Sequence, residues 1–89
     1  MAWTIEYLQS VQKTVRKLDP QTRKRLRDFL EQRLLEAEDP RQIGKALKGS
    51  QLGQYWRYRV GDYRVICDIQ DQRLVVLVVE IGHRSGVYR

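Results

Sequence analysis

Arg57, Arg59 and Arg64 flank a Gly61-Asp62 pair, and His83, Arg84 and Tyr88 follow near the end of the 89-residue chain. Arginine stays protonated and supplies fixed charge and a planar donor fork, whereas tyrosine and histidine can pass protons. That combination suits metal-independent RNA cleavage, in which the 2′-OH attacks the neighbouring phosphorus. The reaction needs a cation to stabilise the phosphorane, a group to take the 2′ proton and a donor for the leaving 5′-oxygen. A tyrosine ordinarily titrates near pH ~10, and surrounding guanidinium groups would bring Tyr88 toward a useful value. Each residue also has a plain structural reading: Tyr88 as an aromatic packed on a sheet, His83 as a surface residue after a strand.

Other chemistries find little footing. The chain carries no glycine-rich phosphate loop and no Ser-His-Asp spacing, and it has one histidine and one cysteine. Neither a disulfide nor a cysteine-based zinc site can be built, and no cofactor is expected. Cys67 reads as a buried, inert thiol.

The arginines owe their arrangement to a hairpin. Gly61-Asp62 sits between the alternating runs Tyr55–Val60 and Tyr63–Cys67, with Gly first as a type II′ turn requires. A two-residue loop pairs Val60 with Tyr63, Arg59 with Arg64, Tyr58 with Val65 and Arg57 with Ile66. One face then carries Trp56, Tyr58, Val60, Tyr63, Val65 and Cys67 and reads as core; the other carries Arg57, Arg59 and Arg64. Two arginines directly opposite each other repel. The arrangement is best tolerated where an anion, commonly a phosphate, lies between them. Tyr55 is the one aromatic of this stretch left for base stacking once Trp56 and Tyr58 join the core.

Around the hairpin the periods change. Residues 2–7 alternate as a short strand. Leu8, Val11, Val15 and Leu18 follow helical spacing. Asp19-Pro20 ends that helix and caps the next, which runs to about Ala37 behind Leu26, Phe29, Leu30 and Leu34. Ile43, Ala46 and Leu47 suggest one further helical turn. Leu74–Val79 reads as a central strand, and a polar, glycine-containing tail is expected from Glu80. The whole of 1–89 reads as one α+β domain: an N-terminal strand, a two-helix hairpin and a three-stranded antiparallel meander.

Seventeen Lys and Arg against eleven Asp and Glu give a net charge of +6, which favours a polyanionic partner. The N-terminus lacks the charged and apolar regions of a signal peptide, and no apolar run approaches the ~20 residues of a membrane span. A cytoplasmic protein with no membrane partner is expected.

Three elements together resemble a known family: Leu47-Lys48-Gly49, Gly61-Asp62-Tyr63-Arg64 and Gly82-His83-Arg84-Ser85-Gly86-Val87-Tyr88. With the leading strand and basic helices, they make nearly the whole chain similar to the RelE/ParE toxin superfamily, and most closely to RelE-type messenger-RNA interferases. The resemblance implies a toxin that enters the ribosomal 30S A site and cuts the bound mRNA, leaving a 2′,3′-cyclic phosphate and a 5′-hydroxyl. It implies neutralisation by a cognate antitoxin, and contact with DNA only through an antitoxin complex at the operator. Carried over by position, it gives Arg64, Arg84, Tyr88 and His83 catalytic roles. Tyr88 ranks first as base, Arg84 as stabiliser or leaving-group acid, and His83 as second candidate for proton transfer. Arg57, Arg59, Lys48 and Tyr55 fall to the substrate. The strand pair Arg57 and Arg59 is often lysine in the family. Two competing functions share these residues: a ParE-type DNA gyrase inhibitor, and a non-catalytic basic module that holds RNA or an acidic peptide.

Overall fold

The computed structural model describes residues 3–47 and 55–83. Strand β1 (Thr4–Tyr7) leads into helix α1 (Gln9–Arg16) and helix α2 (Pro20–Asp28). A π-helical segment (Phe29–Arg33) continues α2 into the short α3 (Leu34–Glu36). A 3-10 turn (Pro40–Ile43) precedes β2 (Lys45–Ala46), and β3 (Tyr55–Val60), β4 (Tyr63–Gln70) and β5 (Val75–His83) follow. The sheet order is β1-β5-β4-β3-β2, with β1 parallel to β5 and the other pairs antiparallel. The expected α+β class and meander are therefore present, extended by an edge strand on each side.

The second helix starts where its sequence says it should. Asp19 accepts a hydrogen bond from the Thr22 amide at 3.1 Å and another from its hydroxyl at 2.7 Å, with Pro20 in the first turn. Leu26, Leu30 and Leu34 are 3%, 1% and 0% exposed. A straight α-helix would rotate residues spaced by four progressively off one face. The wider π turn, closed by the Leu34 amide on the Phe29 carbonyl, takes up the excess and keeps the three leucines aligned. They pack on Tyr58, Val65, Cys67, Val76 and Val78 of the sheet.

Two segments differ from the sequence reading. The helical turn expected at Ile43–Leu47 is instead the 3-10 turn followed by β2. Asp39 caps the turn, accepting from the Arg41 amide at 3.0 Å. The Leu47 amide then donates to the Tyr55 carbonyl at 3.0 Å, tying the segment to β3. Gly44 permits this close approach, because a Cβ there would lie 2.6 Å from the Tyr58 ring. Secondly, β5 does not stop at Val79 but runs to His83. A bulge opposite Ile66/Cys67 leaves one extra residue on β5 and resets its alternation. Ile81 consequently enters the core at 7% exposure, while Glu80 faces solvent.

Candidate functional site

The hairpin register is the one alternation predicts: Val60↔Tyr63, Arg59↔Arg64, Tyr58↔Val65 and Arg57↔Ile66. Gly61 takes φ +61° while Asp62 remains at negative φ, as a type II′ turn requires. Tyr58 and Val65, 1% and 0% exposed, thus point into the helical layer. Arg57, Arg59 and Arg64 stand on the distal face, turned away from the helices.

The rows of that face can be read across the sheet from its pairings. Lys45, Arg57, Ile66 and Glu80 form one row; Arg59, Arg64 and Gly82 form the next. Gly82 contributes no side chain beside Arg64, so the second row is two guanidinium-bearing residues next to open backbone. Arg57 and Arg64 are half-buried, with the Arg64 Nε fully enclosed, whereas Arg59 is exposed. Ile66, 3% exposed, fills the space between Arg57 and Arg64. Tyr55 pairs with Asp68 and shares the distal face, half-buried, one row further from the turn.

His83 falls elsewhere. It pairs with Tyr63 and meets that ring edge-on, with centroids 5.4 Å apart. Tyr63 packs against the core cluster, so the imidazole lies on the helix side of the sheet, across from the arginines. Lys48, Arg84 and Tyr88 lie outside the described residues. The structure therefore brings together Arg57, Arg59, Arg64 and Tyr55, and separates His83 from them.

Two residues of this face were missed by the sequence reading. Lys45, opposite Arg57, was hidden because its segment looked helical; its alternation with Ala46 and Leu47 was the available signal. Glu80 was assigned to a tail, and only the bulge reveals which face it takes.

Other titratable groups serve the fold. The Tyr7 hydroxyl donates to Glu31 at 2.8 Å, and burial followed by that carboxylate raises its pKa, keeping it a proton donor. Burial likewise raises Tyr58, whose hydroxyl donates to the Pro40 carbonyl at 2.8 Å, and Cys67, which is fully buried. None faces the arginines. No group of three metal-ligating side chains occurs among the described residues, and no helix there is long and apolar enough to cross a membrane.

A helical hairpin laid on one face of a mixed sheet, with arginines gathered on the other, is the architecture of toxins from type II toxin–antitoxin systems in the RelE/ParE group. The family model described as "ParE toxin of type II toxin-antitoxin system, parDE" matches residues 5–88, and the chain belongs to that family. It is 26% identical over 89 residues to Toxin RelG of Mycobacterium tuberculosis, covering 100% of this chain and 99% of that toxin. Among solved structures it is similar to the RelBE2 toxin–antitoxin complex of M. tuberculosis, with a TM-score of 0.81 and 24% identity over 93% of this chain and 92% of that one. The isolated RelE toxin of E. coli gives a TM-score of 0.75 and 22% identity over 99% and 87% of the two chains.

Proposed function

We propose that this toxin is a ribosome-dependent endoribonuclease that cuts mRNA in the A site. The observation that carries the reading is the Arg59–Arg64 cross-strand pair, with Arg57 beside it on the same face. Like charges directly opposite each other on a strand pair repel, and a bound anion eases that repulsion. A scissile phosphodiester would do so, and its charge rises in the phosphorane, so the same guanidinium groups would bind the transition state more tightly than the substrate.

In the proposed reaction the 2′-oxygen forms a bond to phosphorus as the bond from phosphorus to the 5′-oxygen breaks. Tyr88 takes the 2′ proton, Arg84 stabilises the phosphorane by its fixed charge, and the leaving 5′-oxygen takes its proton from water. Arg57, Arg59 and Arg64 hold the non-bridging oxygens. Lys45 adds charge beside Arg57, Lys48 contributes to binding the substrate, and Tyr55 offers a ring to a base. The position of His83 on the helix side argues against a direct part in proton transfer. An antitoxin, as in the complex of the mycobacterial relative, would neutralise the protein by occupying its basic surface.

Primer extension on translated mRNA tests this. Cuts within codons, present with ribosomes and absent without them, are expected from the native protein and lost with Arg64→Ala. Uncut mRNA in cells whose growth is still inhibited would overturn the reading. A second reading is favoured by one observation, the ParE description of the matching family: inhibition of DNA gyrase. In that case the purified toxin would block gyrase supercoiling, and Arg64→Ala would leave mRNA profiles unaltered.

A further inference from the structure

We propose that the groove between α2 and the β3–β4 turn is a second phosphate site, which holds the backbone of the RNA strand a nucleotide or more away from the bond that is cut. The groove has a volume of about 370 Å³ and is walled by Arg25, Arg33 and Arg59, with Phe29 and Gly61 between them. The inference rests on the RNA reading above and extends it to Arg25 and Arg33, to which that reading assigns no role.

Arg59 links the two places. It stands in the same row as Arg64 on the distal face and also lines the groove. Among the described residues β2 pairs with β3 only at Trp56 and Arg57, and no strand pairs with β3 on that side at Arg59. A strand lying across the arginine face can pass over that edge. Arg57 and Arg59 are two residues apart in a β-strand, ~7 Å along its axis, which matches the step between successive phosphates of an extended single strand.

The far wall is arranged around the turn. Arg25 reaches from α2 so close to Gly61 that its Nη1 lies 2.7 Å from where a Cβ would project. Arg33 sits over the Phe29 ring with its guanidinium carbon 5.8 Å from the centroid. That ring is itself braced on Tyr58, with centroids 5.8 Å apart. Both guanidinium groups are thus positioned by packing, and neither forms an ion pair among the described residues. Asp28 is the one acid lining the groove, and Lys24 engages it at 2.9 Å. Asp62 adjoins in the turn.

Chemistry chooses the occupant. The cleft between α1 and α2, about 300 Å³, is also lined by Arg16, Arg23 and Arg27. It adds the carboxylate of Glu31 and the apolar side chains of Val15, Leu26, Leu30 and Ile81, which suits a largely apolar group rather than a phosphate. The groove at the turn presents three guanidinium groups around a single ring, which suits a phosphate with its base.

The test is fluorescence anisotropy of the full chain with 2′-O-methyl single-stranded RNA, which cannot be cleaved, in a short and a longer length over a range of salt. For Arg25→Gln/Arg33→Gln, affinity for the longer RNA should fall about 10-fold. The slope of log affinity against log salt should become shallower by about 1.4, two phosphate contacts at ~0.7 each. Affinity for the short RNA should stay within about 2-fold, whereas Arg64→Gln should weaken both lengths. Arg33→Gln alone should give half the change in slope, and it leaves the packing of Arg25 on the turn intact. Native affinity and slope in the double variant would overturn the groove while leaving the RNA reading standing. Failure of the native protein to bind either RNA would overturn the groove; the RNA reading itself fails separately, if ribosome-dependent cuts are absent in the primer-extension assay. Groove-dependent binding of poly-glutamate without groove-dependent RNA binding would overturn the proposal in favour of an acidic protein partner.

Discussion

Strand β4 has a turn at each end, and the two turns treat positive charge in opposite ways. At the β4–β5 turn, Arg41 grips Asp71 through two hydrogen bonds, of 3.0 and 2.6 Å, and also reaches Asp39 at 3.3 Å. Arg73 pairs there with Glu6 at 3.2 Å. At the β3–β4 turn, Arg25, Arg57 and Arg59 meet no carboxylate partner among the described residues. The first arrangement closes a fold. The second leaves these three arginines without a carboxylate among the described residues, where an incoming anion could be met.

The largest expected effect breaks the comparison at its functional end. Arg64→Ala should lower ribosome-dependent cleavage about 100-fold or more, the scale of removing one preorganised charge from a transition state. Arg57→Ala should act in the same direction. For Arg57→Ala the thermal midpoint should not fall, since easing like-charge repulsion offsets lost packing. Arg73→Ala, at the other end, should leave cleavage per folded molecule unchanged. Equal losses from Arg64→Ala and Arg73→Ala would show that the two ends do not differ in function.

Smaller effects come from the turns' backbones. Both contain a residue at positive φ: Gly61 at 61° and Leu74 at 53°. Glycine adopts this region freely, while a leucine there costs ~1–2 kcal/mol. Gly61→Ala should therefore destabilise by about 1–2 kcal/mol and displace Arg25 as well. Leu74→Gly should stabilise by about 0.5–1 kcal/mol, because relief of strain outweighs the added freedom of the unfolded chain. Denaturant midpoints read both. Destabilisation by Leu74→Gly would mean that the exposed leucine contributes packing that its 39% exposure does not suggest.

Acid should separate the ends in a further way. Hydrogen bonding and charge from Arg41 hold the Asp71 carboxyl below its ordinary 3.8, and the Thr22 hydroxyl does the same for Asp19. A depressed carboxyl stabilises the fold fully above its unfolded value and loses that contribution as pH falls through the folded one. The thermal midpoint should thus decline below pH ~4. Arg41→Ala should lower the plateau modestly, by about 4 °C or less, and flatten the acid limb. An unchanged limb in Arg41→Ala would place the acid sensitivity elsewhere.

The sequence made the arginine face legible because a two-residue turn with glycine first leaves one register, and period-two alternation then sorts every side chain. Leu26, Leu30 and Leu34 were legible as a stripe, but the π segment that aligns them was not, since nothing in Phe29–Arg33 differs from ordinary helix former usage. Lys45 escaped because the alternation over Lys45, Ala46 and Leu47 is too short to outweigh the helical spacing of Ile43, Ala46 and Leu47; its pairing with Arg57 and the Leu47–Tyr55 hydrogen bond define the strand. The groove at the turn depends on Arg25 and Arg33 meeting Arg59 across more than twenty residues of chain, a contact that no local pattern encodes.

The smallest expected effect concerns His83, and the bulge decides it. Uninterrupted alternation from Val76 and Val78 would place residue 80 on the helix side and residues 81 and 83 on the distal face. The extra residue opposite Ile66/Cys67 reverses this, sending Ile81 into the core and His83 onto Tyr63. His83→Ala should therefore reduce cleavage by no more than about 3-fold and remove no limb from the pH–rate profile, since a general base contributes about 100-fold or more. Its effect should appear instead as a small loss of stability from the Tyr63 edge contact. A large drop in rate, with a limb missing from the profile and partial return in His83→Gln absent, would mean that this strand end turns over when RNA binds. The two faces of the sheet would then not be the fixed partition that the register gives them.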